Sequence, residues 1–339
     1  MRLALIAVVL ALAPGEPERL VFLGDSITDG HTLPLLLRQA LGDRAPVCIN
    51  AGVAGDTAAG MRKRLERDVL SRRPTRVALS VGINDILRKI PPSEYEADVT
   101  AISERLKREA VPMLILTPTI LGPKHAEPEK RLAEYLSILR RLASKEGYAV
   151  AEVHALMQEG RAAGRELIEP DQVHLTFDGY RVMARAVLDG LGRRDVPAPA
   201  ELTLEPMDGV VREWTIRGLP DGKPISLTLP QFAKAAHWWL DQERRRGFAV
   251  ELDKAVGPAK RFAASAVLES KDAHDVFFNT GAQLESITLN GRLLWKGEGW
   301  TGWHAGKERI PARLEPGRNT IEIESGSAFF LSVTEENHW

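Results

Sequence analysis

Cysteine is almost absent from this sequence: among its 339 residues only Cys48 is present, so an intrachain disulfide is excluded. Cys48 lies in the apolar stretch PVCIN, which is typical of an inner strand. A catalytic thiol would need an exposed and electropositive setting. We therefore interpret Cys48 as a small buried hydrophobe.

An excess of charge of either sign is also missing. The chain carries 45 lysines and arginines against 46 aspartates and glutamates, which gives a formal net charge of −1 at pH 7. Proteins that gather nucleic acid or anionic lipid by electrostatics need a strong field of one sign. We therefore expect no nucleic-acid partner, and small or neutral ligands are favoured.

Patterns that bind metals are lacking as well. The eight histidines are scattered, and the sequence contains no His-x-x-x-His motif and no cysteine pair. Zinc ligands usually occur at such spacings. We expect neither a metal nor another cofactor.

Apart from the N-terminus, no apolar run approaches the length that spans a membrane. Met1 is followed by the basic residue Arg2, an apolar run over residues 3–13 and the segment PGEPE, which is the order of a secretory signal. Residues 1–15 are therefore predicted to be a signal peptide cleaved near Gly15, in a secreted or periplasmic protein. An uncleaved anchor is the alternative.

What the sequence does contain, over roughly its first 190 residues, is an alternation of short apolar runs with segments of helical period. This pattern predicts a parallel sheet covered by helices, in an α/β domain over residues 16–195. The predicted strands are 20–23, 47–49, 77–81, 111–116 and 148–153.

Two segments between these runs are predicted to be amphipathic helices. In SEYEADVTAISERL, Ser93 and Glu96 have the spacing of a capping box. In EKRLAEYLSILRRLASKEG, Gly147 is placed to end the helix. The inward faces are predicted to consist of Tyr95, Val99, Ile102 and Leu106 in the first helix and Leu132, Leu136, Leu139 and Ala143 in the second.

The composition changes at the Pro/Ala stretch 196–200, which is predicted to be a linker. Residues 201–339 favour a mostly antiparallel two-sheet β-sandwich, with a hairpin turn at Asn290-Gly291 and another strand pair around Pro316-Gly317. The segment PQFAKAAHWWLDQERRR within this part is a candidate helix.

The polar motifs of the first domain all follow predicted strands or end the domain: GDSITDG, NAGVAGDT, VGINDI and DQVHLTFDGY. In a parallel sheet such segments meet at the carboxyl ends of the strands. Ser26, His174 and Asp171 supply a nucleophile, a base and a group that orients the base. The three-residue separation of Asp171 and His174 fits one turn, in which the carboxylate accepts from Nδ1 and leaves Nε2 for Ser26.

Acyl transfer also requires donors for an oxyanion. Gly55 offers a backbone N–H without a side chain in the way, Asn84 offers a neutral amide, and the N–H of Ser26 is a third donor. Four neighbouring aspartates are interpreted as acceptors for N–H groups of loops and helix starts. They are Asp25, Asp29, Asp56 and Asp85.

The same residues also allow other interpretations. Ser26 alone could be a helix N-cap, and GDSITDGHT could cradle a phosphate. However, no Gly-Lys-Ser/Thr element follows, and a phosphate site would not explain DQVH. His31 and His125 are weaker candidates for pocket residues, since histidines without function are common in loops.

These four motifs together resemble the SGNH, or GDSL, hydrolases, a family of serine esterases and lipases. The resemblance covers about residues 18–192 and has the blocks in the family's order. It implies a flavodoxin-like, three-layer α/β/α fold. It also implies that Ser26 is the nucleophile, that Gly55 and Asn84 belong to the oxyanion hole, and that Asp171 and His174 are the acid and base.

All seven tryptophans lie beyond residue 213, and Trp295, Trp300 and Trp303 form a cluster in sequence. Exposed aromatic rings can stack on sugars, which makes these three candidate glycan contacts, while core packing is the alternative. The rhythm of this region loosely resembles galactose-binding-like jelly rolls. That resemblance implies architecture only.

The sequence therefore predicts a secreted two-domain serine esterase that forms an acyl-enzyme. A carbohydrate O-acetyl ester is the favoured substrate, small or polysaccharide-borne. A lysophospholipase or thioesterase of the same family is an alternative. An alternative of another class is a carbohydrate-binding or surface adhesion protein in which the α/β domain is only a scaffold.

Overall fold

The computed structural model describes residues 18–234, 242–297 and 306–335. Within them the first part of the chain forms a five-stranded parallel sheet, and the second forms an eight-stranded antiparallel sheet. The predicted class, α/β followed by mostly antiparallel β, is thus confirmed. The predicted signal peptide lies outside the described residues.

The parallel sheet has the strand order β2-β1-β3-β4-β5, which is the order of flavodoxin-like folds. Each of the five predicted apolar runs overlaps one of its strands. They are β1 (Arg19–Gly24), β2 (Val47–Gly52), β3 (Arg76–Ser80), β4 (Met113–Leu116) and β5 (Ala149–Ala151).

The helices of this part connect the strands. They are α1 (Ser26–Asp29), α2 (Thr32–Leu41), α3 (Ala58–Asp68), α4 (Ile83–Leu87), α5 (Pro92–Arg108), α6 (Ala126–Glu146), α7 (Val153–Ala162) and α8 (Phe177–Gly190). Short 3-10 turns occur at Gly42–Arg44, Leu70–Arg72 and Pro123–His125. None of the helices in the described part of the chain is long and apolar enough to cross a membrane.

Helices cover both faces of the parallel sheet. Val21 and Leu23 of β1 pack in one core with α3, α5 and α6, whereas Leu20 and Phe22 pack in another with α2, α7 and α8. This alternation follows from the two-residue period of a strand. Burial on both faces explains why the strands are continuous apolar runs in the sequence.

The capping box predicted for α5 is wrong. The helix begins at Pro92, and Ser93 lies inside its first turn without a cap hydrogen bond. Proline suits the first helical position because its φ is already helical and its missing N–H has no acceptor to lose there. Glu96 instead accepts from Arg141 at 2.9 Å. The predicted inward faces of α5 and α6 are buried, and Gly147 ends α6 in the left-handed region at φ 73°.

The antiparallel sheet has the order β11-β10-β13-β9-β6-β7, with β12 on β10 and β8 on β13. Its strands are β6 (Glu213–Gly218), β7 (Ile225–Thr228), β8 (Ala249–Glu251), β9 (Phe262–Ser270), β10 (His274–Leu289), β11 (Arg292–Lys296), β12 (Glu308–Leu314) and β13 (Gly317–Thr334). Two short helices, α9 (Gln242–Arg245) and α10 (Leu252–Val256), accompany them. Of the candidate helix at PQFAKAAHWWLDQERRR, residues 242–245 form α9, and residues 235–241 lie outside the described residues.

The two long strands, β10 and β13, make this sheet continuous. Their register shifts between Ala282 and Ser286, and side chains from both sides of the shift, including Phe278 and Ile287 of β10, pack in one core. In the described residues, the strands predicted to form a two-sheet sandwich therefore belong to one continuous sheet. The hairpin at Asn290-Gly291 is confirmed, with positive φ at both residues. The strands on either side of Pro316-Gly317 do not pair with each other, because β12 and β13 each pair with β10.

The stretch predicted as a linker, 196–200, contains no helix or strand. It is fixed on the first part of the chain: Val196 is buried in the core beneath α8. Arg185 donates to the Val196 carbonyl, and Arg181 Nε donates to the Pro199 carbonyl at 2.9 Å. This segment is therefore packed against the α/β region along much of its length.

Candidate active site

Ser26 stands where β1 ends and α1 begins, at the carboxyl edge of the parallel sheet. Asp25 caps α1, since its Oδ1 accepts from the N–H of Ile27 at 3.0 Å. The hydroxyl of Tyr180 on α8 donates to the carbonyl of Ile27 at 2.8 Å. These two hydrogen bonds hold the short helix α1 in place. Ser26 itself is 8% exposed.

His174 and Asp171 reach Ser26 from the loop before α8. His174 Nε2 lies 2.7 Å from Ser26 Oγ, and His174 Nδ1 lies 2.6 Å from Asp171 Oδ2. The other oxygen of Asp171 accepts from the N–H groups of Val173 and His174, both at 2.9 Å. The three residues expected from the sequence thus form one hydrogen-bonded chain.

The surroundings of these groups favour a neutral imidazole beside an ionised carboxylate. Burial lowers the pKa of His174 below the ordinary value of 6.5, and the hydrogen bond and charge of Asp171, which raise this pKa, do not offset it. Burial raises the pKa of Asp171, but the N–H groups of His174 and Val173, together with the hydrogen bond and charge of the His174 imidazole, more than reverse this, so its pKa is lowered. With Nδ1–H donated to Asp171, Nε2 is the acceptor for a serine proton.

Gly55 lies in the loop after β2, with a φ of 76° in the left-handed region that favours glycine. On one side, Ala54 N–H donates to Asp29 Oδ2 at 3.0 Å. On the other, Arg88 Nη2 donates to the Gly55 carbonyl at 2.5 Å. The peptide that carries the Gly55 N–H is therefore fixed from both ends.

Asn84 lies in the first turn of α4, directly after β3. Its Nδ2 donates to Asp25 Oδ2 at 3.3 Å, which places the amide beside the residue that precedes Ser26. Because the amide nitrogen carries two hydrogens, one remains for a ligand. Ser26 follows β1 and Asn84 follows the adjacent β3, at the point where the strand order reverses and ligands of such sheets bind.

The four aspartates near these residues have the structural role predicted for them. Each accepts a backbone N–H: Asp25 from Ile27, Asp29 from Ala54, Asp56 from Thr57 and Asp85 from Ala58. Burial raises the pKa of Asp25 to about 7 and that of Asp85 to about 6. These carboxylates therefore shape the loops at the rim of the sheet.

The structure places the weaker candidate His31 beside another cavity and His125 on a loop that borders the cluster. His31 is buried at the start of α2, beside a cavity of about 520 Å³ that Cys48 and Arg246 also line, and burial lowers its pKa to about 3. Burial raises the pKa of Cys48 to about 12, which confirms its interpretation as an inert, buried side chain. His125 ends the 3-10 turn after Gly122, whose N–H donates to the carbonyl of Gln172, so this loop borders the segment of Asp171 and His174.

Of the three predicted glycan contacts, only Trp295 lies within the described residues. Trp295 of β11 is half-buried and packs against the core of the antiparallel sheet, as the core alternative predicts. Trp300 and Trp303 lie outside the described residues.

Two arginines at the rim were missed by sequence reasoning. Arg88 holds Gly55, and Arg64 of α3 donates to the Gly24 carbonyl at 2.9 Å. The sequence contains no signal for either role, because an arginine in a turn, such as Arg88, or on the polar face of a helix, such as Arg64, usually indicates a solvated surface.

Comparison with known proteins finds relatives of the α/β part of the chain. Residues 22–182 match the sequence profile of the GDSL-like Lipase/Acylhydrolase family. The α/β part of the chain is therefore similar to this family, which confirms the predicted SGNH resemblance. The protein is accordingly an ester hydrolase of the GDSL type.

Its relatives include several esterases. Over 216 residues the chain is 25% identical to the acetylxylan esterase of Geobacillus stearothermophilus, an alignment that covers 52% of this chain and 95% of the relative. It is 28% identical over 138 residues to the esterase TesA of Pseudomonas aeruginosa, covering 38% and 69%. A crystal structure of the Geobacillus acetylxylan esterase has a TM-score of 0.48 at 23% identity, covering 54% of this chain and 97% of the other.

The environment of His174 makes a prediction that does not depend on substrate. We expect the His174 imidazole to titrate below pH 6.5 in the resting protein, because burial disfavours its charged form. In Asp171→Asn its pKa should fall further, since the interaction that raises it is lost. Imidazole ¹⁵N NMR over a pH series measures both values, and the spectrum of His174→Gln identifies the resonances. A His174 pKa of 6.5 or above, or one that rises in Asp171→Asn, would contradict the account.

Proposed function

We propose that the protein is a serine esterase that forms an acyl-enzyme on Ser26. The observation that carries this proposal is the continuous hydrogen-bonded chain from Ser26 Oγ through His174 to Asp171, with spacings of 2.7 and 2.6 Å. A serine hydroxyl is a weak nucleophile until a base accepts its proton, and the base must be held in one tautomer. The observed contacts meet both requirements.

In the proposed reaction Ser26 Oγ attacks the ester carbonyl carbon while His174 Nε2 takes the hydroxyl proton. The resulting tetrahedral oxyanion accepts hydrogen bonds from the N–H groups of Ser26 and Gly55 and from Asn84 Nδ2. Collapse breaks the bond to the leaving alkoxide, which receives the proton from His174. Water then attacks the acyl-enzyme by the same route in reverse, releasing the carboxylic acid and free Ser26.

The acyl group that we propose is acetyl, carried on a carbohydrate. Support comes from the acetylxylan esterase of Geobacillus stearothermophilus, whose alignment spans 95% of that relative. The N-terminal sequence also has the pattern of a secretory signal. We accordingly propose that the protein is exported, which would bring the enzyme to extracellular polysaccharide.

A second candidate is a lysophospholipase or thioesterase. It is favoured by a 28% identity over 132 residues to the thioesterase 1/protease 1/lysophospholipase L1 of Escherichia coli, which covers 36% of this chain and 63% of the relative. Acyl-chain preference separates the two, because acetyl and long-chain pockets differ in depth.

Kinetics of single variants test the roles of Ser26 and Asn84. With p-nitrophenyl acetate, Ser26→Ala should lower kcat by about 10³-fold or more, because the nucleophile is lost. Asn84→Ala should lower kcat by about 10²-fold with a smaller change in KM, since the oxyanion forms only in the transition state. Ser93→Ala, at an exposed serine of α5, is the matched control and should be unchanged. If folded Ser26→Ala keeps a tenth of the activity, Ser26 is not the nucleophile.

Substrate series test the proposed acyl group. We expect kcat/KM to fall from p-nitrophenyl acetate to octanoate, and acetate to be released from acetylated xylo-oligosaccharides in a reaction that Ser26→Ala abolishes. A preference for octanoate would instead favour the lysophospholipase or thioesterase. The alternative of a carbohydrate-binding or surface adhesion protein would be favoured by a different result. In that case the folded protein would turn over no ester, and Ser26→Ala would leave its glycan retention intact.

A further inference from the structure

One arginine beneath the sheet edge contacts the ends of β1 and β2, from which both loops of the proposed site leave. The Arg64 side chain on α3 is only 10% exposed. Its Nη2 donates to the carbonyl of Gly24 at 2.9 Å, and its Nη1 donates to the carbonyl of Ala51 at 2.6 Å. Its Nε donates to Asp56 Oδ2 at 2.6 Å, next to Gly55. Arg64 therefore ties the nucleophile turn to the oxyanion loop.

Arg64 is held in turn by Asp68, one helical turn further along α3. Arg64 Nη1 donates to Asp68 Oδ2 at 2.9 Å. The Asp68 side chain is only 3% exposed, and Arg67 Nε donates to its other oxygen, Oδ1, at 2.7 Å. The position of Arg64 thus depends on which other cations are hydrogen-bonded to the buried carboxylate of Asp68.

A third cation reaches this carboxylate from the antiparallel region. Lys307, directly before β12, has a side chain that is 2% exposed, and its Nζ donates to Asp68 Oδ2 at 2.8 Å. The same segment is fixed through its backbone, since Arg72 Nη2 donates to the carbonyls of Gly306 and Lys307 at 3.1 and 3.3 Å. The antiparallel region thereby places a buried ammonium against α3.

Lys307 and Arg64 donate to the same oxygen of Asp68. In a buried site a carboxylate attracts its remaining partners more strongly when one of them is removed, because little water is present to replace it. Without the ammonium, Arg64 would be drawn toward Asp68 and away from the carbonyls of Gly24 and Ala51. The ends of β1 and β2, from which both loops of the site leave, would then lose a shared support.

We propose that Lys307 is a positioning residue of the esterase site, acting through Asp68 and Arg64 on the turn that carries Ser26 and the loop that carries Gly55. The antiparallel region is then required for full turnover of a substrate that does not itself contact that region. This inference rests on the esterase function proposed above.

Turnover per active site in the full chain tests this role. Diethyl p-nitrophenyl phosphate titrates reactive serines by the burst of p-nitrophenolate, so kcat for p-nitrophenyl acetate can be expressed per titrated site. We expect Lys307→Met to lower this kcat by about tenfold, with KM within about twofold. Lys254→Met is the matched control, because Lys254 is an exposed lysine of the antiparallel region that pairs with Glu251 at 2.8 Å. Its kcat should not change.

A double-mutant cycle separates positioning from simple stabilisation. In an Asp68→Asn background, Lys307→Met should lower kcat by less than about twofold, because the carboxylate that transmits its effect is gone. Fewer titrated sites with an unchanged kcat per site, or an equal fall in both backgrounds, would overturn the proposal. If Lys307→Met does not fold, the milder Lys307→Gln is measured in the same way. Absence of a burst or of turnover in the wild type would instead refute the proposed esterase function.

Discussion

The hydrogen bond between Ser26 and His174 joins residues that are 148 positions apart in the chain, and most of the α/β region contributes to it. Ser26 is placed by the end of β1 and by the cap of α1, while His174 is placed by the loop that enters α8. Tyr180 connects the two, since it lies on α8 and donates to α1 at 2.8 Å. A shift of α8 against the sheet would therefore separate the base from its serine.

Buried carboxylates also hold the loops of the site in place. An ionised or polar group that is removed from water must be compensated by hydrogen bonds. Asp29 meets this requirement by accepting from Ala54, and Asp25 by accepting from Ile27 and from the amide of Asn84. The same contacts hold the loops on which the proposed oxyanion donors lie. The same hydrogen bonds therefore compensate the buried carboxylates and hold the loops of the site.

Much of this arrangement could be predicted from the sequence, because it depends on local patterns. The apolar runs gave the strands, and their shared edge brought Ser26, Asp171 and His174 together. The pairing of β12 and β13 with β10 could not be predicted, since alternation defines the face of a side chain but not the partner of a strand. The start of α5 at Pro92 was missed because a capping-box pattern at Ser93 competed with the proline signal.

The roles of Arg64, Asp68 and Lys307 could not be predicted for a different reason. Arg64 and Asp68 lie on a helix that is rich in charge, and such residues usually face solvent. Lys307 is 239 residues away from Asp68 in sequence, and no periodicity or motif links them. Only the packing of the antiparallel region against α3 buries these charges together, and that packing is a property of the whole fold.

The most direct measurement of the central claim is the identity of the residue that becomes covalently modified. Incubation with a fluorophosphonate ester, followed by proteolysis and peptide mass spectrometry, locates the adduct. The account predicts one adduct per chain, on Ser26, whose formation slows as the pH falls and His174 becomes protonated. An adduct on any other residue, or no adduct on folded protein at neutral pH, would contradict it.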